Sequence, residues 1–556
     1  MSNVTPLERS AEKLDKANKR RPPGKAASTG TFDADGHRLI LHDPGRLPEI
    51  LDELGAALAE YGGNLFVYTN RLVRIYVAPE LPGKGISRAR GALVLHPVDA
   101  AHLAEIAGRA AIHKRWDVKS ETYRPINCPR YVTEGYLSRG NWPELRSLTA
   151  FVEAPTVTLS GRLLDQPGYD AETGLFLAFA PIPGYCAPPD RPTMDDAAGA
   201  AARLLGAVSE FPFCDDSDKS AFLAGVLTAL LRRQLHAAPM MAVPAPTAGT
   251  GKTLIAETFA LLATGRRASV LSLGQDDNET EKRLAGVLLA GDACVALDNV
   301  ERPLKGELLC QVASQQYVRL RPLGGSGMVS IPTNALLVAT GNNLAVVGDL
   351  KRRVALIRMD ACQERPEQRT FSTNHLDEIL IHRGELIRDA LTICLAYHAA
   401  GSPPVKGLYP LGGFDHWDTM VRRPLVWLGM ADPLIASESL RDQDADLECM
   451  RLLFGAWQEV FQDRAKTAAQ VVATGLESLP ATIGHAHAEL YDALQLACTE
   501  KPNTRRLGFW LGKHKDRIVD GLMLKQAGND GHAKVALWRI HVVEPSAVRA
   551  DVHIPF

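Results

Sequence analysis

Net charge is the first thing this chain lacks: 62 Lys and Arg against 64 Asp and Glu leave −2 over 556 residues. No whole-molecule field draws it to nucleic acid, so any basic contact surface must be local. Its nine cysteines, at 128, 186, 214, 294, 310, 362, 394, 449 and 498, form no C-x-x-C pair and no Cys/His group at zinc spacing. They read as reduced core thiols rather than a metal or redox site. Nowhere do about eighteen uncharged apolar residues run together, and the first residues carry charge without an apolar h-region. The expectation is a cytoplasmic protein with no membrane partner. No internal repeat is visible.

What remains is an ordinary globular composition, 46% hydrophobic, in a chain long enough for several cores. Residues 1–30 carry Arg9, Lys13, Lys16, Lys19, Arg20, Arg21 and Lys25 ahead of a small polar run, and read as a disordered basic tail. Residues 31–190 read as an α+β accessory module, with a helix from Leu47 to Tyr61 and a hairpin of Leu65 to Tyr68 and Leu72 to Val77 around Thr-Asn-Arg. Residues 191–375 read as a P-loop core preceded by helices at 196–209 and 217–234, the second with Arg232 and Arg233 at its basic end. A helical region follows over 376–480 and a winged-helix-like segment over 481–556.

The chemistry concentrates at Pro246-Thr247-Ala248-Gly249-Thr250-Gly251-Lys252-Thr253, which follows the apolar run Met241 to Pro244 and opens an apolar helix from Leu254 to Ala263. Strand, loop and helix in that order make a phosphate cradle: backbone N–H groups and the helix N-terminus face phosphate oxygens. Lys252 reaches the β- and γ-phosphates, and Thr253 offers its hydroxyl to Mg²⁺. ATP and Mg²⁺ are the cofactors this implies, with residues 247–253 binding the nucleotide. The position where P-loops usually carry their first glycine holds Pro246.

Ala293 to Leu297 is a short buried-strand pattern ending in Asp298, suited to hold Mg²⁺ through water. Asn299 follows where many such ATPases place a water-activating glutamate, and an amide takes no proton. Glu301, Glu279 and Glu281 are the candidate bases, with Glu301 favoured. A third strand, Ala335 to Ala339, runs into Thr340-Gly-Asn342-Asn343, where either amide can orient the attacking water. Tyr317 to Ile331 alternates around a Gly-rich tip like a hairpin, with Arg319 and Arg321 as candidate DNA phosphate contacts. Gly348-Asp-Leu-Lys-Arg352-Arg353 is a basic turn that could donate an arginine across a subunit boundary.

Near the C-terminus, helices at 486–498 and 505–515 and strand patterns at 517–524 and 535–540 have the layout of a winged helix. Lys and Arg outnumber acids about three to one from Lys501 to Arg539, so Arg505, Arg506, Lys513 and Lys515 are candidate DNA contacts. Asp33-Ala-Asp35, a pair of carboxylates beside the tail, is read as bland, and no primase activity is expected.

This order of motifs resembles the superfamily 3 helicases, and more closely the helicase portion of poxvirus-type primase-helicases of phages, plasmids and integrated elements. The resemblance runs over roughly 120–540, through Gly140-Asn-Trp-Pro, Gly168 to Leu175, Phe211-Pro-Phe, the P-loop, Leu297-Asp-Asn-Val, Thr340-Gly-Asn-Asn-Leu, Gly348 to Arg353 and Glu364 to Phe371. It implies an AAA+-like α/β ATPase core in which Asp298 is the Walker B acid, Asn343 the sensor asparagine and Arg352 or Arg353 the arginine finger. It also implies a homo-hexamer acting as an ATP-dependent helicase or translocase on single-stranded or forked DNA in replication of a mobile element, alongside a separate primase or other replication proteins. Pro246, Asn299 and a hairpin tip without Lys or His depart from the family pattern. Two other readings stay open: an ATP-binding DNA clamp, loader or switch with little turnover, and a defence or regulatory ATPase.

Overall fold

The computed structural model describes residues 31–32, 36–78, 86–273, 277–320, 328–342, 344–363, 365–369, 373–442, 445–477, 485–498, 501–530 and 535–543. The protein is mixed α/β and divides between Ala436 and Ser437 into two compact units.

The first unit is organised by a six-stranded sheet. Its members are β1 (Met240–Ala245), β2 (Ser269–Leu271), β3 (Cys294–Leu297), β6 (Leu336–Asn342) and β7 (Val354–Leu356), with Ile86–Ser87 at one edge. The order is β7-β1-β6-β3-β2, all parallel, and the edge strand runs antiparallel to β2. Near-continuous apolar runs are what a parallel sheet covered on both faces requires, and every residue of β3 is buried. The connections are α1 (Lys252–Thr264) after β1, α2 (Asp277–Ala290) after β2, and α3 (Glu307–Ser314) with the hairpin β4 (Tyr317–Leu320) and β5 (Val329–Pro332) between β3 and β6. Because β6 lies between β1 and β3, the C-terminal ends of all three meet at one edge.

After a polar first turn, the helix Asp216–Leu231 is apolar all round and buried from Ser220 onward, as expected of a helix enclosed by others. A capping box of Asp215 and Asp218 starts it, and Trp417 donates its indole N–H to Thr228 Oγ1 at 2.9 Å. Helices α4 (His375–Ile381) and α5 (Arg383–Ala399) share this core. Arg383 donates to the carbonyls of Leu261 and Leu262, closing the C-terminal end of α1.

The N-terminal module packs the helices Leu47–Tyr61, Ala100–Ala110 and Arg130–Ser138 on a core of their own. Its hairpin, Phe66–Tyr68 with Arg71–Val77, turns at Thr69 and Asn70, both at positive φ (47° and 58°), the twist a two-residue hairpin turn needs. Ser87 continues into Arg88, whose guanidinium grips the buried carboxylate of Asp292 at 2.6–3.1 Å while Ser269 donates to the same carboxylate at 2.6 Å.

The second unit surrounds its core with α6 (Ala445–Phe461), α7 (Ala468–Gly475), α8 (Ala488–Cys498) and α9 (Thr504–Lys513). Its antiparallel sheet has the order β8 (Lys466–Thr467), β11 (Ala536–Val542), β10 (Leu522–Asn529), β9 (Ile518–Val519).

Several local expectations change. The stretch 376–480 is not one helical region: helices up to Trp427 share the first unit's core, while α6 and α7 build the second. The run 517–524 is not one strand, because Asp520 and Gly521 at φ 49° and 75° turn it back as β9 and β10. Arg232 and Arg233, read as the basic end of a helix running to residue 234, follow the last helical residue, Leu231. Both are buried, bound to the carbonyls of Leu235, Thr333, Asn334 and Gly291, and burial pulls Arg232 down to about 9. All nine cysteines are free, but Cys186, Cys214 and Cys362 are exposed rather than core thiols. The tail 1–30 and the Asp33/Asp35 pair lie outside the described residues. No helix among the described residues is long and apolar enough to cross a membrane.

Candidate functional site

The loop from Pro246 to Gly251 leaves β1 and becomes α1 without a side-chain cap, so the first N–H groups of α1 stay directed into the loop. Gly249 and Gly251 stand at φ 76° and 98°, backbone that L side chains rarely adopt. A Cβ on Gly249 would lie 2.8 Å from the backbone N of Glu367, and one on Gly251 would lie 3.1 Å from the Phe211 ring. Lys252 donates Nζ to Thr247 O and Asn342 Oδ1, each at 2.8 Å, and to Thr250 Oγ1 at 3.3 Å. Partial burial lowers the Lys252 pKa, and Asp298 opposes that shift. Thr250 is buried, whereas Pro246, Ala248, Gly249 and Thr253 are exposed.

Asp298, directly after β3, faces Thr253: the Thr253 hydroxyl donates to Asp298 Oδ1 at 3.2 Å. The same oxygen accepts from Thr340 Oγ1 at 2.6 Å, and Thr340 Oγ1 accepts from the Asn299 backbone N–H at 3.2 Å. Asn299 adopts φ 52°, a left-handed conformation that Asn tolerates better than Glu. Its amide donates to Glu301 Oε1 at 3.2 Å. Glu279 is instead paired with Arg283 within α2, and Glu281 is exposed on the same helix.

The donor set can be tested for a hard cation. Thr253 and Asp298 present converging oxygens, and no group of three or more His, Cys, Asp or Glu side chains among the described residues could hold a metal. One hydroxyl and one carboxylate beside a phosphate cradle is the sparse protein contribution that Mg²⁺ accepts, since it keeps waters and takes phosphate oxygens for the rest. These residues fit Mg²⁺ held with a phosphate ligand, and do not fit a metal held by protein alone.

Beside the loop opens a cavity of about 660 Å³, lined among others by Phe211, Thr250, Gly251, Leu254, His375 and Ile379. The Phe211 and His375 rings meet edge-on at 4.8 Å. The Thr258 hydroxyl donates to Leu254 O at 2.7 Å and so accepts from His375 Nε2 at 2.8 Å, while burial lowers the His375 pKa. Sequence reasoning did not find this cavity, nor Thr340 as the partner of Asp298, nor Glu367 against Gly249. The prior signals were Phe211-Pro-Phe and the 364–371 motif, from which Phe211 and Glu367 reach the loop at Gly251 and Gly249.

Other candidates stand apart. Arg352 and Arg353 end a 3₁₀ turn, Gly348–Arg353. Arg353 turns inward onto Asp349 and onto Ser314 Oγ at 3.3 Å, whereas Arg352, with a side chain 61% exposed, pairs with Asp349 at 2.5 Å. Arg319 is exposed on β4, opposite Ser330. Arg505, Arg506, Lys513 and Lys515 are exposed in the second unit. Asn343 and Arg321 lie outside the described residues, so it is Asn342 whose contact with Lys252 is seen.

No protein-family profile matches the chain, and no curated protein sequence matches it. Among solved structures it is similar to the A form apo structure of the NrS-1 C-terminal region, at 13% identity and a TM-score of 0.35 over 80% of this chain and 100% of that one. A likeness that distant carries no assignment.

Proposed function

We propose that this chain is a P-loop ATPase of the superfamily 3-like kind, working as an ATP-dependent DNA helicase or translocase whose second unit is a winged-helix-like DNA-binding domain. The observation that carries the reading is the meeting of Lys252, Thr253, Asp298 and Asn342, drawn from β1–α1, β3 and β6, within hydrogen-bonding distance at one edge of a parallel sheet. That edge is where open α/β sheets take ligands.

In this reading the loop N–H groups and Lys252 bind the phosphates, and the neighbouring cavity receives the base. Bound Mg²⁺ neutralises charge on the β- and γ-phosphates. Thr253 and Asp298 hold it, Thr340 fixes the Asp298 carboxylate, and Glu301 takes the proton from water. Arg352, the more exposed of the pair, is the residue to reach a neighbouring subunit's nucleotide in a homo-hexamer.

The test is Mg²⁺-ATP hydrolysis by the full chain with and without single-stranded DNA, together with displacement of a strand from a forked duplex. DNA-stimulated turnover lost in Lys252→Ala supports the motor, and loss in Glu301→Gln assigns the base. Tight ATP binding with negligible turnover under all conditions sinks the motor. One observation favours that second reading, a nucleotide-dependent DNA switch: Asn299 itself takes no proton, and its amide donates to Glu301 Oε1, which favours the ionised carboxylate and makes it a weaker base.

A further inference from the structure

Two arginines side by side, directly after the helix Asp216–Leu231, carry their charge into the core: Arg232 is 2% exposed and Arg233 8%. Taking a cation out of water is costly unless it is paired, so buried guanidinium groups normally meet a carboxylate. These two meet carbonyls. Arg232 donates to those of Leu235 and Thr333, and Arg233 to those of Asn334 and Gly291 and to Asn334 Oδ1 at 2.7 Å. No ion pair holds either one among the described residues.

The carboxylates that act on Arg233, Asp292 and Glu153, are held by other groups. Asp292 lies in the grip of Arg88 and Ser269, and Glu153 pairs with Arg266. Arg383 stands beside the same segment, donating to the Glu153 carbonyl at 2.8 Å. Arginines 88, 232, 233, 266 and 383 thus share two carboxylates, and the cluster keeps an excess of positive charge. Burial and then the neighbouring Arg233 pull Arg232 down to about 9, so it still carries its proton at neutral pH.

A second observation points to what restores the balance. A cavity of about 20 Å³ adjoins the pair, lined by Arg232, Arg233 and Glu153 and by apolar side chains such as Phe151, Leu230 and Ala263. That is room for one water-sized particle. The Nε–H of each arginine has no hydrogen-bond partner among the described residues, and neither Nε is sealed off from open space. A water accepting from both would have to point its own protons at a lining that is apolar apart from Glu153, whose carboxylate Arg266 already holds. A monatomic anion accepts both charge-assisted bonds and has no protons to place.

We propose that this cavity is a binding site for a single small anion of the halide class, chloride, held by the Nε–H groups of Arg232 and Arg233. Its size leaves no room for sulfate, phosphate or an organic anion. The bound ion neutralises the two cations that tie the foot of the β4–β5 hairpin, at Thr333 and Asn334, to Gly291 ahead of β3. Nothing in this depends on whether the chain binds nucleotide or DNA.

The first experiment is diffraction at the bromine absorption edge from crystals of the full chain grown in bromide. The expected result is an anomalous peak in the cavity, within hydrogen-bonding reach of both Nε atoms. The second is thermal melting of the full chain in chloride–glutamate mixtures of constant ionic strength, with Ala229→Val and Ala263→Val beside the parent. Both alanines line the cavity, and each substitution fills it while keeping both arginines. The melting temperature of the parent should rise by about 1–2 °C per tenfold increase in chloride relative to either variant. General effects of the salt act on all three proteins alike, so the difference in slope reports the site.

A cavity that holds water and gives no anomalous signal overturns the proposal, and this result needs no variant to fold. Equal chloride dependence in the parent and the variants overturns it as well, and a bromide peak without chloride-dependent melting is an adventitious ion only.

Discussion

The hydroxyl of Thr340 donates to the carboxylate of Asp298 at 2.6 Å, across the adjacent strands β6 and β3. Thr340 is buried and also accepts from the Asn299 N–H, so one hydroxyl fixes both the acid and the turn that follows it. Thr340→Val keeps the shape and removes both bonds. Hydrogen bonds to charged groups are worth about 1.5–3 kcal/mol, so ATP turnover should fall by roughly 10–100-fold. More Mg²⁺ should also be needed for half-maximal rate, and Thr340→Ser should restore most of the loss. An Mg²⁺ titration of turnover decides it: a Thr340→Val enzyme with parental rate and Mg²⁺ dependence removes Thr340 from the site.

Lys252 and Asn342 form the second link across the sheet edge. Asn342→Asp places a carboxylate beside Lys252, where it holds the ammonium more firmly but repels the terminal phosphate of ATP. A like charge at about 4 Å costs on the order of 4 kcal/mol in a partly screened site. ATP affinity should therefore fall at least tenfold and ADP affinity distinctly less. Calorimetric titration with both nucleotides reads the difference, and equal losses would place Asn342 away from the terminal phosphate.

Gly249 is constrained twice, by φ 76° and by the backbone of Glu367 lying 2.8 Å from any added Cβ. Left-handed backbone costs a non-glycine residue about 1–2 kcal/mol, and the turn Pro366–Gln368 would have to move as well. Gly249→Ala should abolish measurable nucleotide binding while lowering the melting temperature by only a few degrees. Retained ATP binding would mean that the turn gives way freely and does not shape the loop.

Much of this arrangement was readable from local pattern. The strand, loop and helix around Lys252, the helix Leu47–Tyr61 and the hairpin turning at Thr69 and Asn70 follow from periodicity and turn chemistry, which act over a few residues. Asp520-Gly521 carried a hairpin signal too, but the apolar residues on both sides invited reading one strand. What stayed hidden depends on distant segments. Arg232 and Arg233 look like the basic end of a helix until carbonyls about a hundred residues on enclose them. The cavity exists only because Phe211 and His375 meet from opposite sides of the P-loop segment in sequence. Asn342 and Asn343 follow the same apolar run in sequence, so pattern alone could not choose between them.

The last prediction concerns acid stability of the N-terminal module. His42 and His113 are buried with ring nitrogens 2.8 Å apart, and His113 Nε2 lies 3.1 Å from the carbonyl of Ala107. His113 holds this geometry only while neutral, donating to the carbonyl through Nε2 and accepting from His42 through Nδ1, whereas a proton added to His42 would sit on Nδ1, a buried atom without a hydrogen-bond partner. Burial first, then His113 and Arg115, pull His42 from 6.5 down to about 4, and burial lowers His113 as well. A depressed histidine pKa means that the unfolded chain binds more protons between about pH 4 and 6.5, so stability is complete above that window and declines as pH falls through it. The loss should be on the order of 1–2 kcal/mol after allowance for solvent screening. Hydrogen exchange across residues 38–117 at pH 7.5 and 5.0, corrected for intrinsic rates, should show protection weakening in acid, and His42→Gln should shrink that change. Equal protection at both pH values would mean that the pair tolerates a proton and that the module's acid response lies elsewhere.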